Sequence, residues 1–194
     1  MYPLENTILH LLGFAGTGKL TIAREIVAAA PFRLVDNHLV NNVVFSLIFA
    51  DGKTKLPPSV WERVGDIRET VIRTIRKISP DNFSFVFTNE MIEGTEKDER
   101  TFEKIRSLAE DRGALYLPVR LLISETELCR RIAIPERAKM HKTTSEEAAI
   151  INSRQNEVLI PKSVPYVDLD VTNLEAHDAA RQILSEARAR RAHG

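Results

Sequence analysis

The stretch Gly13-Phe14-Ala15-Gly16-Thr17-Gly18-Lys19-Leu20-Thr21 carries the spacing G-x-x-x-x-G-K near the start of the chain. Those residue types at that spacing suit one task, the cradling of phosphate. Successive backbone N–H groups must curl around an anion, and glycine allows the required dihedrals with no Cβ in the way. A helix opening at Gly18 would aim its unpaired N–H groups and positive dipole end at the same anion. Lys19 adds a full charge that reaches the β- and γ-phosphates of a nucleoside triphosphate. The expectation is a P-loop that binds ATP through residues 13–21.

Three other places could carry chemistry. Asp36-Asn37-His38 follows a short apolar run, and Asp36 falls where a ligand pocket would open past a strand end; the alternative is a helix N-cap ahead of LVNNVVF, and one residue could do both. On an extended segment the side chains of Asp36 and His38 would share one face. Thr88-Asn89-Glu90 closes another apolar run, so Glu90 is either a pocket residue or a turn residue that caps the next helix. A basic stretch holds Arg130, Arg131, Arg137, Lys139, His141 and Lys142. Phosphoryl transfer spreads negative charge over oxygens that mobile cations can neutralise, but a solvated helix paired to Glu127 and Glu136 would read the same way.

The elements that must hold these groups alternate between apolar runs and amphipathic stretches, the pattern of an α/β domain with a parallel sheet. Strands are expected at Thr7–Leu12, Arg33–Val35, Phe83–Thr88, Leu115–Ile123 and Tyr166–Val171. Pro118 suggests an edge position or a bend in the fourth. Helices are expected from Gly18 to Ala30, from after Asp36-Asn37-His38 to about Phe49, from an N-cap at Ser59 with Glu62 as its capping-box partner to Ile78, from Glu96 to Arg112 with Gly113 closing it, from Glu125 to Glu157, and from Leu174 to Arg191. In the Ser59–Ile78 helix, Val64, Ile67, Val71 and Ile75 lie at core spacing, and the arginines between them form a solvated face. Trp61 is expected in the core, and Cys129 is expected to be a buried thiol.

Composition narrows the classes further. The chain has 194 residues, 43% hydrophobic and 28% charged, with 27 Lys plus Arg against 27 Asp plus Glu. One domain spanning 1–194 suits that length. Zero formal charge argues against a protein that mainly grips nucleic acid. There is no signal-peptide pattern and no apolar run of spanning length, so a cytoplasmic protein with no membrane partner is expected, monomeric or homodimeric.

Thr21, one place beyond the usual hydroxyl position, makes the loop G-K-x-T. In this it resembles the adenylate-kinase-like small-molecule kinases, which include nucleoside monophosphate kinases and shikimate kinase. The resemblance implies a P-loop NTPase fold: a five-stranded parallel sheet with helices on both faces and a small helical lid at about 130–145. It also implies ATP with Mg²⁺, with Thr21 and Asp36 near the metal. Shikimate-kinase-like members carry D-x-D where this chain has Asp36-Asn37-His38. Asp36 matches the first carboxylate, and His38 stands in for the second, either as a base for the acceptor or as a hydrogen-bonding wall. By the same resemblance Arg68 is a candidate for the acceptor, as are Asp36, His38 and Glu90. Arg130 and Arg137 are candidates for the phosphates, and Thr172 and Leu174 for the adenine loop. The expected activity is phosphoryl transfer from ATP to a hydroxyl or phosphate of a small molecule. Alternatives are a nucleoside monophosphate kinase and a nucleotide-binding switch with negligible turnover. The chain lacks the N-K-x-D guanine signature of a GTPase.

Overall fold

A computed structural model describes residues 4–50, 54, 56–133 and 146–193. Its sheet has five parallel strands: β1 (Thr7–Leu12), β2 (Phe32–Asp36), β3 (Ser84–Asn89), β4 (Leu115–Leu122) and β5 (Val167–Asp170), in the order β2-β3-β1-β4-β5. Seven helices are described: α1 (Lys19–Ala29), α2 (Asn37–Phe45), α3 (Pro58–Lys77), α4 (Glu96–Asp111), α5 (Glu125–Ile132), α6 (Glu146–Gln155) and α7 (Ala176–His193).

The central strands β1 and β3 are buried along their whole length, as expected for parallel strands covered on both faces. Alternation along β1 sorts its side chains. Leu9 and Leu11 enter one core with Ile22 and Ile26 of α1 and Ile183 and Leu184 of α7. Ile8 and Leu12 enter the other with Ile72 and Ile75 of α3 and Phe102 and Ile105 of α4. α1 and α4 therefore leave the adjacent strands β1 and β3 toward opposite faces. That divergence opens a crevice at the carboxyl ends of the two strands, the usual ligand position in open parallel sheets.

Several expectations shift. α3 begins one residue earlier than its expected cap: Pro57 is the N-cap, Pro58 sits in the first turn, and no side chain caps the end. Proline suits that place because its missing N–H would have had no helical partner. Pro118 lies in a strand with neighbours on both sides. β5, however, pairs with β4 only from Val119 onward, so β4 still has one open side at Pro118. Gly113, with φ +55°, ends α4 as expected. Cys129 is half-buried. The helical reading of 125–157 resolves into α5 and α6, and residues 134–145 lie outside the described residues.

Candidate active site

The loop from β1 to α1 is built from within. Thr17 is fully buried, and its N–H and hydroxyl both donate to the Phe14 carbonyl, at 3.3 and 2.9 Å. Gly18 is the N-cap of α1, in the left-handed region at φ +88°. Gly16 is also left-handed, at φ +99°, and a Cβ there would lie 2.6 Å from Leu128 Cδ1. Any side chain at Gly16 would thus be strained and would collide with α5. Lys19 Nζ donates to the carbonyls of Gly13 and Phe14 at 2.7 and 2.8 Å, folding over the loop that it closes.

α5 braces the loop with an arginine, and it is Arg131 rather than Arg130. Arg131 donates to the Thr17 carbonyl (3.3 Å), the Val171 carbonyl after β5 (2.7 Å) and Glu127 (2.7 Å). Arg130 points into solvent and holds Glu127 through two 2.7 Å bonds. The two arginines hold the Glu127 carboxyl down at about 2.

Ala15, Gly16, Gly18, Lys19, Leu20 and Thr21 line one side of a cavity of about 510 Å³. Gly13, Phe14 and Thr17 build the loop from behind. The other walls come from the ends of β2 and β3 and from α2, α3 and α4, and include Asp36, His38, Arg68 and Glu90. Asp36 is buried at the end of β2, and its carboxylate accepts from the Thr88 hydroxyl. That hydroxyl in turn accepts the Asn37 N–H at 3.3 Å. Asp36 occupies the N-cap position of α2, but its side chain does not cap the helix. The expected shared face of one extended segment is not what joins Asp36 to His38. α2 begins at Asn37, so His38 enters the cavity from a helix's first turn. Glu90 accepts from Asn152 of α6 at 3.1 Å.

The far wall carries cations. Of the α3 arginines, Arg63 and Arg73 have exposed side chains in ion pairs, as the solvated-face reading expects. Arg68 is different: its Nη2 donates to Asn37 Oδ1 at 3.0 Å, and burial pushes the guanidinium below its ordinary value, with Asp98 opposing. Lys97 of α4 sits with its ammonium 4.3 Å from the centre of the Trp61 ring. Burial lowers the Lys97 ammonium, the Asp98 charge opposes that, and the Arg68 charge lowers it further. Trp61 is 36% exposed and lines the cavity. It is thus a wall residue instead of the expected core residue.

Lys97, Asp98 and Asn41 escaped sequence reasoning, because nothing in their local pattern marks them. Asn37, Thr88 and Asn89 could have been found, as polar residues in segments already marked as strand ends. Thr172 and Leu174 serve the frame: the Thr172 hydroxyl accepts the Ser124 N–H at 2.9 Å, and Leu174 packs against the core under α1. Among the described residues, the cavity lining includes neither of these nor Arg130. Arg137 lies outside the described residues.

The donor set suits Mg²⁺. That ion keeps several waters and takes one or two carboxylates plus substrate phosphates, without a dedicated protein cage. No cluster of three His, Cys, Asp or Glu side chains forms such a cage among the described residues. Asp36 and the Thr21 hydroxyl share the cavity with the P-loop, which is the kind of sparse set the ion needs.

No protein-family model and no curated protein matches the chain. Solved structures do. A gluconokinase from Sinorhizobium meliloti superposes with a TM-score of 0.57 at 16% identity, over 97% of this chain and 94% of that one. A shikimate kinase from Acinetobacter baumannii, in complex with shikimate, gives 0.56 at 12% identity, over 95% and 94%. A tunicamycin resistance protein from Deinococcus radiodurans gives 0.56 at 12% identity, over 93% and 95%. The chain has the shikimate-kinase-like P-loop kinase fold, as its loop spacing and element order led one to expect. No helix among the described residues is long and apolar enough to cross a membrane.

Proposed function

We propose that the chain is a Mg²⁺- and ATP-dependent phosphotransferase acting on a small acidic molecule that offers a hydroxyl or a phosphate. The observation that carries this reading is the shared cavity. A P-loop needs only its own side of that space for the triphosphate, and the opposite side is walled by Asp36, His38, Arg68, Trp61 and Lys97. A nucleotide switch with negligible turnover has no use for a second, polar half.

In this reading the N–H groups of the loop and of the first turn of α1 bind the phosphates. Lys19 leaves the carbonyls of Gly13 and Phe14 to pair with phosphate oxygens. Mg²⁺ would neutralise charge on the β- and γ-phosphates, held by Asp36 and the Thr21 hydroxyl. His38 hydrogen-bonds the accepting hydroxyl or takes its proton. Arg68 and Lys97 hold the acceptor's anionic group, since two partly desolvated cations with one carboxylate between them are relieved by an incoming anion. Trp61 offers an apolar face to the acceptor's body. Arg130, Arg137 and the lid at about 130–145 remain part of the proposal, as the source of cations that arrive on closure.

The test is ADP release from MgATP by the full chain across a panel of sugar acids, cyclic hydroxy acids including shikimate, nucleoside monophosphates, and tunicamycin. Acceptor-dependent turnover with an acidic member supports the reading. Stoichiometric ATP binding with no acceptor-dependent release across the panel would favour the switch, and preference for nucleoside monophosphates would favour a nucleotide kinase.

A further inference from the structure

His10 sits in the middle of β1, fully buried, with its ring stacked on Phe102 at 5.7 Å and edge-on to Phe87 at 6.2 Å. Packing alone would be served there by a leucine or a phenylalanine. Yet both ring nitrogens are engaged: Nδ1 lies 2.8 Å from the Tyr116 hydroxyl, and Nε2 lies 3.0 Å from Asn89 Oδ1. The line continues outward. Asn89 Nδ2 donates to Asn37 Oδ1 at 3.3 Å, and Arg68 Nη2 donates to that same oxygen at 3.0 Å. Asn89, Asn37 and Arg68 line the cavity, whereas His10 is not among the lining residues.

The direction of every bond in this line follows from its outer end. A guanidinium can only donate. Asn37 must therefore turn its carbonyl oxygen to Arg68, and Asn89 must meet that oxygen with its NH₂ group. The Asn89 carbonyl then faces His10, so Nε2 must carry the proton. Burial lowers the His10 imidazole from 6.5 to about 4, so the ring is neutral near pH 7 and Nδ1 is left as an acceptor. The Tyr116 hydroxyl supplies that last proton. One tautomer of one buried ring satisfies the whole set, and the opposite tautomer would set Asn89 carbonyl against Asn37 carbonyl.

We propose that His10 is a positioning residue for the acceptor side of the cavity, fixing Arg68 through Asn89 and Asn37. Arg68 has a long, rotamer-rich side chain, and holding it in one place from its own helix would cost conformational entropy. The line transfers that restraint to a ring locked in the sheet. A fixed guanidinium binds a carboxylate or phosphate with less entropy left to lose. The functional consequence rests on the reading of the cavity as an acceptor site; the restraint itself does not.

Nitrogen NMR on the full labelled chain tests it without any acceptor. His10 should show the Nε2–H tautomer alone from pH 6 to 8, and Arg68 should give separate, hindered Nη signals. His10→Leu should collapse those signals into an averaged one, and His10→Gln, whose amide can still donate to Asn89, should restore them. Arg68→Met should shift His10 toward a mixture of tautomers. Tyr116→Phe, which keeps the ring packing, should do the same more weakly and stands in should His10→Leu fail to fold. An Nδ1–H tautomer in the wild type, or Arg68 signals equally hindered in His10→Leu or Tyr116→Phe and in the wild type, overturns the proposal. These signals are read whether or not the chain turns over ATP. A failed kinase reading and a failed positioning role are therefore told apart.

Discussion

Asp36 and Thr88 are register partners at the carboxyl ends of β2 and β3, and the Thr88 hydroxyl donates to the Asp36 carboxylate. The hydroxyl also receives the Asn37 N–H, so one side chain ties a carboxylate to the start of α2. Asp36→Asn should remove most of the Mg²⁺-dependent part of ATP-analogue affinity. Thr88→Val, close to isosteric, should weaken the same part by about tenfold to a hundredfold, the scale of one hydrogen bond to a charged group. Calorimetry with and without Mg²⁺ separates the two contributions. Unchanged Mg²⁺ dependence in Asp36→Asn would remove Asp36 from the metal's surroundings.

Lys19→Ala should lower ATP affinity by about tenfold to a hundredfold and abolish turnover, the expected loss of a charge-assisted contact to phosphate. The variant also removes the donor that spans the Gly13 and Phe14 carbonyls. The Phe14 carbonyl keeps its bonds from the Thr17 N–H and hydroxyl, and Lys19 itself lines the open cavity, where water can take the place of its side chain, so the melting temperature should stay within a few degrees of the wild type. Equal affinity in the two proteins would sink the P-loop assignment.

His38→Ala should lower kcat by about tenfold to a hundredfold with ATP affinity unchanged. The loss is modest because a loose phosphoryl-transfer transition state asks little of a base. Full activity in the variant would make His38 part of the wall and leave the acceptor to Asp36.

The buried His10 gives stability a defined pH dependence. Its folded value, about 4, lies below the ordinary 6.5, so the unfolded chain takes up the proton first. The neutral ring's contribution is therefore complete above about pH 6.5 and is lost progressively as pH falls toward 4. The total is on the order of 3 kcal/mol. Urea unfolding at pH 7.5, 5.5 and 4.5 reads this slope, and His10→Gln should flatten it. An equally steep slope in the variant would assign the acid sensitivity to carboxylates instead.

Period and punctuation made the frame legible. The runs ILHLL and FSFVF could only be central strands of an α/β sheet, and the loop between ILHLL and an amphipathic helix announced its ligand. Asp36, His38, Arg68 and Glu90 reach the cavity because they follow strand ends or stand at the position a resemblance pointed to. Helical spacing alone could not tell Arg68 from Arg63 and Arg73, and only the resemblance singled it out, because burial within one helix is decided by what α2 and α4 bring against it. Nor could it tell Arg131 from Arg130: both follow Glu127 by one helical turn, and only the packing of Leu128 and Ile132 decides which one turns inward. Lys97 and Trp61 meet across two helices far apart in sequence. His10 is the one polar residue of the run ILHLL, a signal that went unused, and its place in the bonding line needed coordinates.

The seat of α5 on the loop also constrains how this chain can diverge. Gly16 leaves room for Leu128 and Ile132 only by having no side chain, so those three positions form one inherited unit. A lineage that replaced Gly16 would have to trim Leu128 in step, and one that enlarged Ile132 would find the glycine already at its limit. Gly16 fills one of the open positions of the G-x-x-x-x-G-K spacing, and it is held here by two separate demands, the left-handed backbone of the loop and the seat of a helix more than a hundred residues later. Relaxing the first would not release it from the second, so a glycine at position 16 would be kept for as long as α5 held its place.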